Sequence, residues 1–397
     1  MNRPRLIIAP GKEKAILRRH PWIFSGAVRR VVGSPQDGDL VDVFASDGRW
    51  MAAGHFQAGE SIICKVLSFD TPDIDEAFFH ARLQSAIRYR ERLGFFDSGD
   101  THVFRLVHAE GDGLPGLVAD WYNGILVLQA HSLGMHRLFP LFTDLFRTLL
   151  GDRLQAVFDK SSGTLSTATD GYLWGITPDE WEITEHGNRL LINFFEGQKT
   201  GFFIDQRENR KLVQDLARGH RVLNCFGYTG GFSLAALRGG AEQVETVDIS
   251  KKAIDLCNRN VALNFGPDAP HTGTVADVLQ FLSGKPIFNF QLSTFNFIIL
   301  DPPAFAKNHR SLQQGLKGYR SINQRALEVL PAGGLLMTFS CSQAVSKEDF
   351  QTMVFTAAMC AHRTVRIVRQ LPHAMDHPVS ICHPEGEYLK GLLLEVE

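Results

Sequence analysis

Three short stretches of the chain combine residue types that could carry out chemistry. Apolar residues 221–225 lead into a glycine loop at 227–231, and a second apolar run ends in Asp301-Pro-Pro. A third apolar run ends in Ser340-Cys-Ser. The carboxyl ends of parallel strands share one sheet edge, where α/β proteins bind their ligands. The sequence therefore predicts a glycine loop, a carboxylate and a thiol in one crevice.

The glycine loop is the candidate site for a nucleoside cofactor. Gly227, Gly230 and Gly231 allow close approach of the backbone, and a helix predicted from Phe232 offers N–H groups at its start. The next apolar strand ends in Asp248, 21 residues after Gly227 (248 − 227), where a carboxylate can hold ribose hydroxyls. For the loop taken alone, a plain glycine turn before a helix is the alternative.

Two further carboxylates follow predicted strands. Asp277 suits an adenine amino group, and because a helix is predicted from Val278 it is also an N-cap candidate; the two roles are compatible. Asp301 ends strand 297–301, and the two prolines after it fix the backbone and remove two N–H donors. A bare β-turn is the alternative for Asp-Pro-Pro.

Cys341 is the candidate nucleophile, because it lies between two polar serines at a strand end. A thiolate is a strong nucleophile, and nearby cations lower the pKa of a thiol. Cys225 is expected to point into the core. The remaining cysteines are expected to be buried like small hydrophobic residues: Cys64, Cys257, Cys360 and Cys382. No CxxC pair occurs, so neither a disulfide framework nor a metal site is predicted.

Length and composition fit a soluble globular protein of two or three domains. The chain has 397 residues, of which 44% are hydrophobic and 21% charged. It contains no apolar run of about 18 residues and no signal-peptide core at its start. We therefore expect a cytoplasmic protein with no membrane partner, in a reducing compartment that suits its scattered cysteines.

The charge distribution is more informative than the net charge of −2. Residues 1–30 hold eight lysines and arginines against one acid, and residues 304–325 hold five against none. Local basic patches suit a polyanion that must be docked and released. The candidate RNA contacts are Arg18, Arg19, Trp22, Lys307 and Arg310. Simple solvation of the surface is the alternative for either patch.

Changes in pattern predict three domains. Residues 1–70 read as short strands with turns, including 40–44 and 62–67. Residues 74–185 read as an α+β domain that opens with a helix at 75–93, whose arginines either contact RNA or form a solvated face. Residues 186–397 alternate strand and helix, as in a doubly wound α/β sheet.

The order of motifs resembles a class I S-adenosyl-L-methionine (AdoMet) methyltransferase, and more closely the bacterial 23S ribosomal RNA large-subunit methyltransferase I family, which makes 5-methylcytosine. The motifs are 197–210 (GQKTGFFIDQRENR), 224–232 (NCFGYTGGF), 301–303 (DPP) and 338–342 (TFSCS). Residues 20–26 (HPWIFSG) are similar to the start of that family's PUA domain, a small β-barrel that binds RNA. The resemblance covers essentially the whole chain. It implies a C-terminal Rossmann-like class I methyltransferase domain, preceded by the PUA domain and a central α+β domain.

The resemblance also implies the cofactor, AdoMet, and its site. The implied residues are the glycine loop, the strand-end carboxylates and part of segment 197–210: Phe226, Gly227, Tyr228, Thr229, Gly230, Asp248, Asp277, Asp301, Lys199, Phe203 and Arg207. Two positions depart from common patterns. Ala304 stands where many cytosine-5 RNA methyltransferases have a second cysteine, which matches the one-cysteine branch. Asn224 stands where many methyltransferases have an acid.

The expected reaction is methylation of cytosine C5 in 23S ribosomal RNA, either as naked RNA or as a large-subunit particle. Cys341 would attack the ring and Asp301 would stabilise the charge that develops on it. Phe305 and Tyr319 are candidates either to stack on a flipped base or to lie in the core. The alternatives are methylation of a guanine nitrogen without a thiol, a non-catalytic ribosome assembly factor that binds RNA, and a methyltransferase for small molecules or proteins. A homodimer is left open.

Overall fold

The computed structural model describes residues 3–195, 197, 199–283 and 294–397. The chain folds into two compact units. The N-terminal unit comprises Met1–Ile183, Ile192–Ile204 and Met375–Gly386. The C-terminal unit comprises Thr184–Leu191, Asp205–Ala374 and Glu387–Glu397. In the part of the chain that the structure describes, no helix is long and apolar enough to cross a membrane.

The N-terminal unit begins with a six-stranded sheet. Its strands are β1 (Arg5–Ile8), β2 (Trp22–Phe24), β3 (Val28–Val32), β4 (Leu40–Phe44), β5 (Trp50–Phe56) and β6 (Ile62–Ser68), with the short helix α1 (Lys14–Leu17) after β1. The strands are ordered β2-β6-β5-β4-β1-β3. In β4, Val41 and Val43 are buried while their neighbours are only half-buried, which is the period-two pattern of a strand with one core face. The strands predicted at 40–44 and 62–67 are confirmed.

A second sheet of the N-terminal unit packs with three helices. Its strands are β7 (Val103–His108), β8 (Leu117–Tyr122), β9 (Ile125–Ala130), β10 (Ala156–Asp159) and β11 (Gly171–Trp174), and its helices are α2 (Glu76–Arg92), α3 (Leu133–His136) and α4 (Phe139–Leu150). The strands are ordered β11-β10-β9-β8-β7. Asp75 caps α2 by accepting a hydrogen bond from the Phe78 N–H at 2.9 Å. The strands β12 (Trp181–Glu185) and β13 (Asn188–Ile192) form a separate pair.

The prediction that the arginines of α2 face solvent or RNA is wrong for Arg90, which is fully buried. Its guanidinium donates to both carboxylate oxygens of Asp112, at 2.6 and 2.9 Å. It also donates to the main-chain carbonyls of Arg105 and Asp376, at 2.8 and 2.6 Å. The sequence pattern predicted that Arg90 would be exposed, because an arginine is buried only when it has hydrogen-bond partners. Those partners lie outside its own helix, so the pattern of the helix does not reveal them.

We expect Arg90→Met to lower the free energy of unfolding of the N-terminal unit by about 3–5 kcal/mol, because it leaves the Asp112 carboxylate buried without its cation. All five tryptophans of the chain lie within residues 22–181, so urea denaturation followed by tryptophan fluorescence reports on this unit. Arg88→Met, an exposed change in the same helix, is the matched control. Equal stability of the two variants would show that the ion pair contributes little.

The C-terminal unit is a doubly wound α/β sheet, as predicted. Its strands are β14 (Arg221–Cys225), β15 (Gln243–Asp248), β16 (His271–Val275), β17 (Phe297–Leu300), β18 (Leu335–Ser340), β19 (Val365–Leu371) and β20 (Lys390–Val396). Its helices are α5 (Arg207–Leu216), α6 (Gly231–Arg238), α7 (Lys251–Phe265), α8 (Val278–Leu282), α9 (Leu312–Val329) and α10 (Lys347–Cys360). The strand order is β16-β15-β14-β17-β18-β20-β19.

Helices cover both faces of this sheet because its central strands are apolar on both sides. Leu223 and Cys225 of β14 join a core that includes residues of α8, α9 and α10. Asn224, between them, points the other way and bonds to Ser233 of α6. The five strands β14 to β18 run parallel, and β20 is antiparallel to β18 and β19. The connections that parallel strands require supply the helices of both layers.

Glu245 of β15 is a buried acid in this sheet. One carboxyl oxygen accepts a hydrogen bond from the Thr274 hydroxyl, and the other has no hydrogen-bond partner among the described residues. Burial raises the pKa of Glu245 to about 7. Because the pKa is higher in the folded than in the unfolded state, this acid favours folding below about pH 4.5 and ceases to do so as the pH rises through 7.

We expect Glu245→Gln to remove this pH dependence, which amounts to roughly 2–3 kcal/mol between pH 5 and pH 8. Hydrogen exchange of the β15 amides at both pH values would measure the change, since the tryptophans do not report on this unit. The control is Glu242→Gln, an exposed acid just before β15. A wild-type protection that stays level across this pH range would contradict the expectation.

Candidate active site

The glycine loop leaves β14 in a conformation that holds it close to the neighbouring elements. Phe226 and Tyr228 have positive φ angles of 60° and 45°, which few residues other than glycine adopt. A Cβ atom at Gly227 would lie 2.3 Å from Thr246 Cγ2, and one at Gly230 would lie 2.5 Å from Cys257 Sγ. The loop therefore packs directly on β15 and α7, and only glycine fits at these two points.

Asp248 ties the loop to the end of β15. Its carboxylate accepts hydrogen bonds from the Tyr228 N–H at 3.0 Å and from the Ser250 N–H at 2.8 Å. The side chain is half-buried, and each oxygen keeps a second lone pair for a ligand. Asp277 follows β16 and accepts from the Gln280 N–H at 2.9 Å, so its expected N-cap role is confirmed. Its expected role toward adenine stays a prediction.

Two buried polar atoms beside the loop have no hydrogen-bond partner within the described residues: Asn224 Oδ1 and Thr229 Oγ1. The Asn224 amide is oriented by its other end, because Nδ2 donates to Ser233 Oγ at 2.8 Å. Ser233 Oγ in turn lies 2.6 Å from Thr246 Oγ1. Buried polar groups normally find partners, so these two acceptors indicate where a polar ligand group fits.

Asp301 is the first residue after β17. The side-chain amide of Gln206 donates to Asp301 Oδ1 at 3.0 Å. Gln206 is itself held by Asn209, whose amide donates to Gln206 Oε1 at 2.6 Å. Gln206 lies inside the motif 197–210, but nothing in the sequence pairs it with Asp301. Pro302 is buried and Pro303 exposed, so the chain turns outward after the carboxylate.

Cys341 follows β18 and is half-buried, with Sγ 4.0 Å from the Pro302 carbonyl oxygen. Leu300 of β17 pairs with Thr338 of β18, so the thiol and the Asp301 carboxylate come from adjacent parallel strands. Cys225 is buried, as expected, and burial raises the pKa of its thiol. A nucleophile that a substrate must reach fits Cys341 and not Cys225.

The expectation of burial is confirmed for Cys64 and Cys257 and wrong for the other two cysteines. Cys360 is exposed and Cys382 is half-buried. Cys360 is the last residue of α10, where the helix ends toward solvent. The hydrophobic character of cysteine does not by itself predict whether the residue lies at the exposed end or at the buried centre of a helix.

Tyr319 lies in the core, because it is fully buried and its hydroxyl is 2.8 Å from Ser342 Oγ. Phe305 is half-buried, with its ring centroid 4.7 Å from that of Tyr319. Of the two stacking candidates, only Phe305 therefore keeps a surface that a base could reach.

The segment 197–210 divides between the two units. In the N-terminal unit, Lys199 is exposed and its ammonium lies 4.4 Å from the centroid of the Phe203 ring. Arg207 begins α5 in the C-terminal unit and is buried, with its guanidinium 3.5 Å from a carboxylate oxygen of Glu208. Gln198 lies outside the described residues. The expected contacts of Lys199, Phe203 and Arg207 with a cofactor stay predictions.

The N-terminal candidates for RNA contact differ in their exposure and in the partners that their side chains already have. Arg18 is exposed, whereas Arg19 pairs with Asp70 at 2.5 Å. Trp22 is half-buried, and its indole N–H donates to Glu110 at 2.8 Å. Because exposed ion pairs are weak, Arg19 can exchange Asp70 for another anion, but Trp22 is held within its own unit.

The C-terminal RNA candidates, Lys307 and Arg310, are both exposed in the segment between Asp-Pro-Pro and α9. This segment is fixed by Asn308, whose side chain accepts from the Ser311 N–H at 3.1 Å in a capping box. The two cations therefore stand on an ordered turn in the same unit as Asp301.

Comparisons with known proteins agree with this architecture. The family model for S-adenosylmethionine-dependent methyltransferases matches residues 159–378, and that for PUA-like domains matches residues 6–69. Ribosomal RNA large subunit methyltransferase I of Klebsiella pneumoniae (strain 342) is 40% identical over 99% of this chain and 98% of its own. The protein of that name from Aeromonas salmonicida (strain A449) is 41% identical over 98% of both chains. A solved methyltransferase complexed with SAH has a TM-score of 0.86 at 22% identity and covers 100% of both chains.

The fold and the matching family models define an S-adenosylmethionine-dependent methyltransferase with a PUA-like domain near its N-terminus. The predicted fold class is confirmed. Within that class, the chain belongs to the ribosomal RNA large subunit methyltransferase I family.

AdoMet is the cofactor of this class, and the residues at the glycine loop fit it. The buried acceptors Asn224 Oδ1 and Thr229 Oγ1 can take hydrogen bonds from donors such as the methionine ammonium. Asn224 would do so without contributing a charge. The Asp248 carboxylate has lone pairs for ribose hydroxyls.

We expect Gly227→Ala to weaken AdoMet binding roughly tenfold to 100-fold, because the added Cβ would displace the loop from Thr246. Isothermal titration calorimetry measures the affinity, and circular dichroism shows whether the fold is kept. The control is Gly171→Ala, where a Cβ has no atom within 4 Å. Unchanged affinity in a folded Gly227→Ala protein would mean that the loop does not contact the cofactor.

Proposed function

We propose that the protein methylates C5 of a cytosine in 23S ribosomal RNA, through a transient covalent bond between Cys341 Sγ and C6 of the ring. The single observation that supports this most is the place of Cys341: half-buried, at the carboxyl end of β18, beside the turn that follows Asp301. The relatives named above methylate ribosomal RNA by name, and the PUA-like match at residues 6–69 fits an RNA substrate.

A thiol is needed to activate the ring, because cytosine C5 is a poor nucleophile. When bound, AdoMet supplies an electrophilic methyl group. The Cys341 thiolate adds to C6, and the electron pair of the C5–C6 double bond makes C5 nucleophilic toward that methyl group. The sulfur–methyl bond would break as the C5–methyl bond forms, leaving S-adenosylhomocysteine; a base would then take the C5 proton, and the electrons of the C5–H bond would re-form the double bond and expel the thiolate.

Asp301 is proposed to stabilise the ring while Cys341 is attached. Thiolate addition places negative charge on the ring, and a proton shared between the Asp301 carboxyl and ring N3 neutralises it. The hydrogen bond from Gln206 to Oδ1 orients the Asp301 carboxyl group at the end of β17. Asp301 would serve the substrate as well as the cofactor, for which Phe226, Gly227, Asp248 and Asp277 are further proposed contacts.

Exposed cations are proposed to hold the RNA backbone. Lys307 and Arg310 follow Asp301-Pro-Pro and would contact phosphates near the target base, whereas Arg18 would act within the domain proposed at residues 1–70. The target base must leave its stack to be reached, at a cost of about a few kcal/mol unless it already lies in a loop. Phe305 is the candidate surface for stacking on it. We also propose a cytoplasmic location and the further domains 74–185 and 186–397.

The test is methyl transfer from labelled AdoMet to ribosomal RNA from cells that lack this protein, followed by mass spectrometry of the nucleosides. We expect 5-methylcytosine from the wild type and a loss on the order of 1,000-fold or more in Cys341→Ala, which cannot form the adduct. AdoMet binding should be retained. Cys360→Ala removes an exposed thiol of the same unit and should react normally.

Other outcomes would each reject part of the proposal. Undiminished 5-methylcytosine from Cys341→Ala would reject the nucleophile. A methylated guanosine that survives the mutation would replace cytosine by a purine nitrogen. AdoMet binding without any transfer to ribosomal RNA would favour another substrate or a role in ribosome assembly.

A further inference from the structure

The strand that brings a buried cation to the nucleophile is β20, the antiparallel strand of the sheet. Lys390, its first residue, pairs with Ser340, the last residue of β18. Cys341 follows directly. The Lys390 side chain is buried, with 5% of the residue exposed. A lysine is rarely buried without a reason, because removing its charge from water is costly.

The Lys390 ammonium bonds to main-chain oxygens on both sides of the strand pair. It donates to the Ser342 carbonyl at 2.6 Å and to the Tyr388 carbonyl at 2.6 Å. Ser342 is the residue after Cys341, so the lysine fixes the backbone that carries the thiol. An ammonium has three N–H groups, and these two bonds leave one of them for a further acceptor.

No carboxylate lies within ion-pair distance of Lys390 among the described residues. The nearest acid by sequence, Glu387, lies 2.5 Å from Lys347 of α10 and so has a cation of its own. Burial lowers the pKa of Lys390 to about 8, while the charges of Cys341 and Glu387 act in the opposite direction. The ammonium is therefore a buried cation without a paired carboxylate in the described part of the chain, and Cys341 is the first of the two acidic groups whose charge favours its protonated form.

Besides the Asp301 carboxylate at the end of the adjacent strand β17, an ionisable group beside Cys341 is Tyr319 of α9. Its hydroxyl is 2.8 Å from Ser342 Oγ, and burial raises its pKa, so it stays neutral near pH 7. Tyr388 lies on the other side of Lys390, and its hydroxyl donates to Asp205 at 2.6 Å. Tyr319 thus brings no charge from α9 near pH 7, whereas Lys390 brings a positive charge from β20.

We propose that Lys390 is the positioning residue of the nucleophile: its ammonium holds the Cys341 backbone through the Ser342 carbonyl and is the counter-ion of the Cys341 thiolate. The proton of the thiol leaves to solvent, and the lysine keeps its own. This inference rests on the proposed role of Cys341 as the nucleophile. Its consequence is that a larger fraction of Cys341 is thiolate at neutral pH than would be without the lysine.

Alkylation of the thiols by iodoacetamide between pH 6 and pH 10 tests the inference, because only the thiolate reacts. Peptide mass spectrometry separates the Cys341 rate from that of Cys360, the exposed reference thiol in the same molecule. In Lys390→Met we expect the midpoint pH for Cys341 to rise by about one unit or more, which lowers its rate at pH 7 about tenfold. The Cys360 midpoint should not move.

Two further variants separate charge from shape. Lys390→Arg keeps a cation and should leave the Cys341 midpoint within about half a pH unit of wild type. Lys390→Gln keeps an N–H donor without the charge, and it replaces Lys390→Met if that variant fails to fold; it should shift the midpoint like Met. An unchanged Cys341 midpoint in folded Met or Gln variants would overturn the inference and make the lysine purely structural.

This measurement does not depend on catalysis, so the two proposals can fail separately. If Cys341→Ala still makes 5-methylcytosine while the midpoint moves as expected, the coupling stands and the nucleophile assignment fails. If Cys341→Ala is inactive and the midpoint does not move, the nucleophile stands and the inference about Lys390 fails. At pH 7, Lys390→Met should lower the kcat of methyl transfer and leave the Kd for AdoMet unchanged.

Discussion

The parallel register of the C-terminal sheet is the constraint on which the rest of the site depends. Strands β14, β15, β17 and β18 pair so that Cys225, Val247, Leu300 and Thr338 lie side by side. Every segment that leaves these strands begins at the same edge. The glycine loop, two carboxylates and a thiol from four parts of the chain thereby lie along that edge, and each follows a strand that is buried on both faces.

Hydrogen bonds then fix the positions of these groups. Asp248 is fixed by the N–H of Tyr228 in the glycine loop and by that of Ser250 at the start of α7, and Asp277 caps a helix. Gln206 donates a hydrogen bond that orients Asp301, and Lys390 donates one to the main-chain carbonyl of Ser342, directly after Cys341. Groups held in this way lose little further freedom when a ligand binds, which is the physical meaning of a preorganised site.

Buried charge recurs across the molecule in three different settings. Arg90 has a paired carboxylate, which makes it a structural ion pair. Glu245 has only a hydroxyl donor, so burial keeps it protonated to a higher pH. Lys390 has two carbonyls and a neighbouring thiol. Because desolvation disfavours every unpaired charge, the partner of a buried charged residue determines how far its pKa is shifted and how much it contributes to stability.

Local pattern was sufficient to identify most strands and the chemically active residue types. The strand Arg221–Cys225 and the cap at Asp277 follow from short-range rules of alternation and capping, which involve only neighbouring residues. Family motifs, read as a set, indicated the methyltransferase class that the comparisons confirm. The burial of Arg90 and the exposure of Cys360 were missed because burial depends on partners that are distant in sequence.

The sequence by itself thus determined which groups the chain offers at the ends of its strands, because strand and loop signals are local. Only the tertiary structure decided which of those groups meet. The bond from Gln206 to Asp301 spans 95 residues, and that from Lys390 to Ser342 spans 48. Such pairs arise from strand order and from the antiparallel insertion of β20 between β18 and β19, which leave no periodic trace in the sequence because they follow from how separate elements pack.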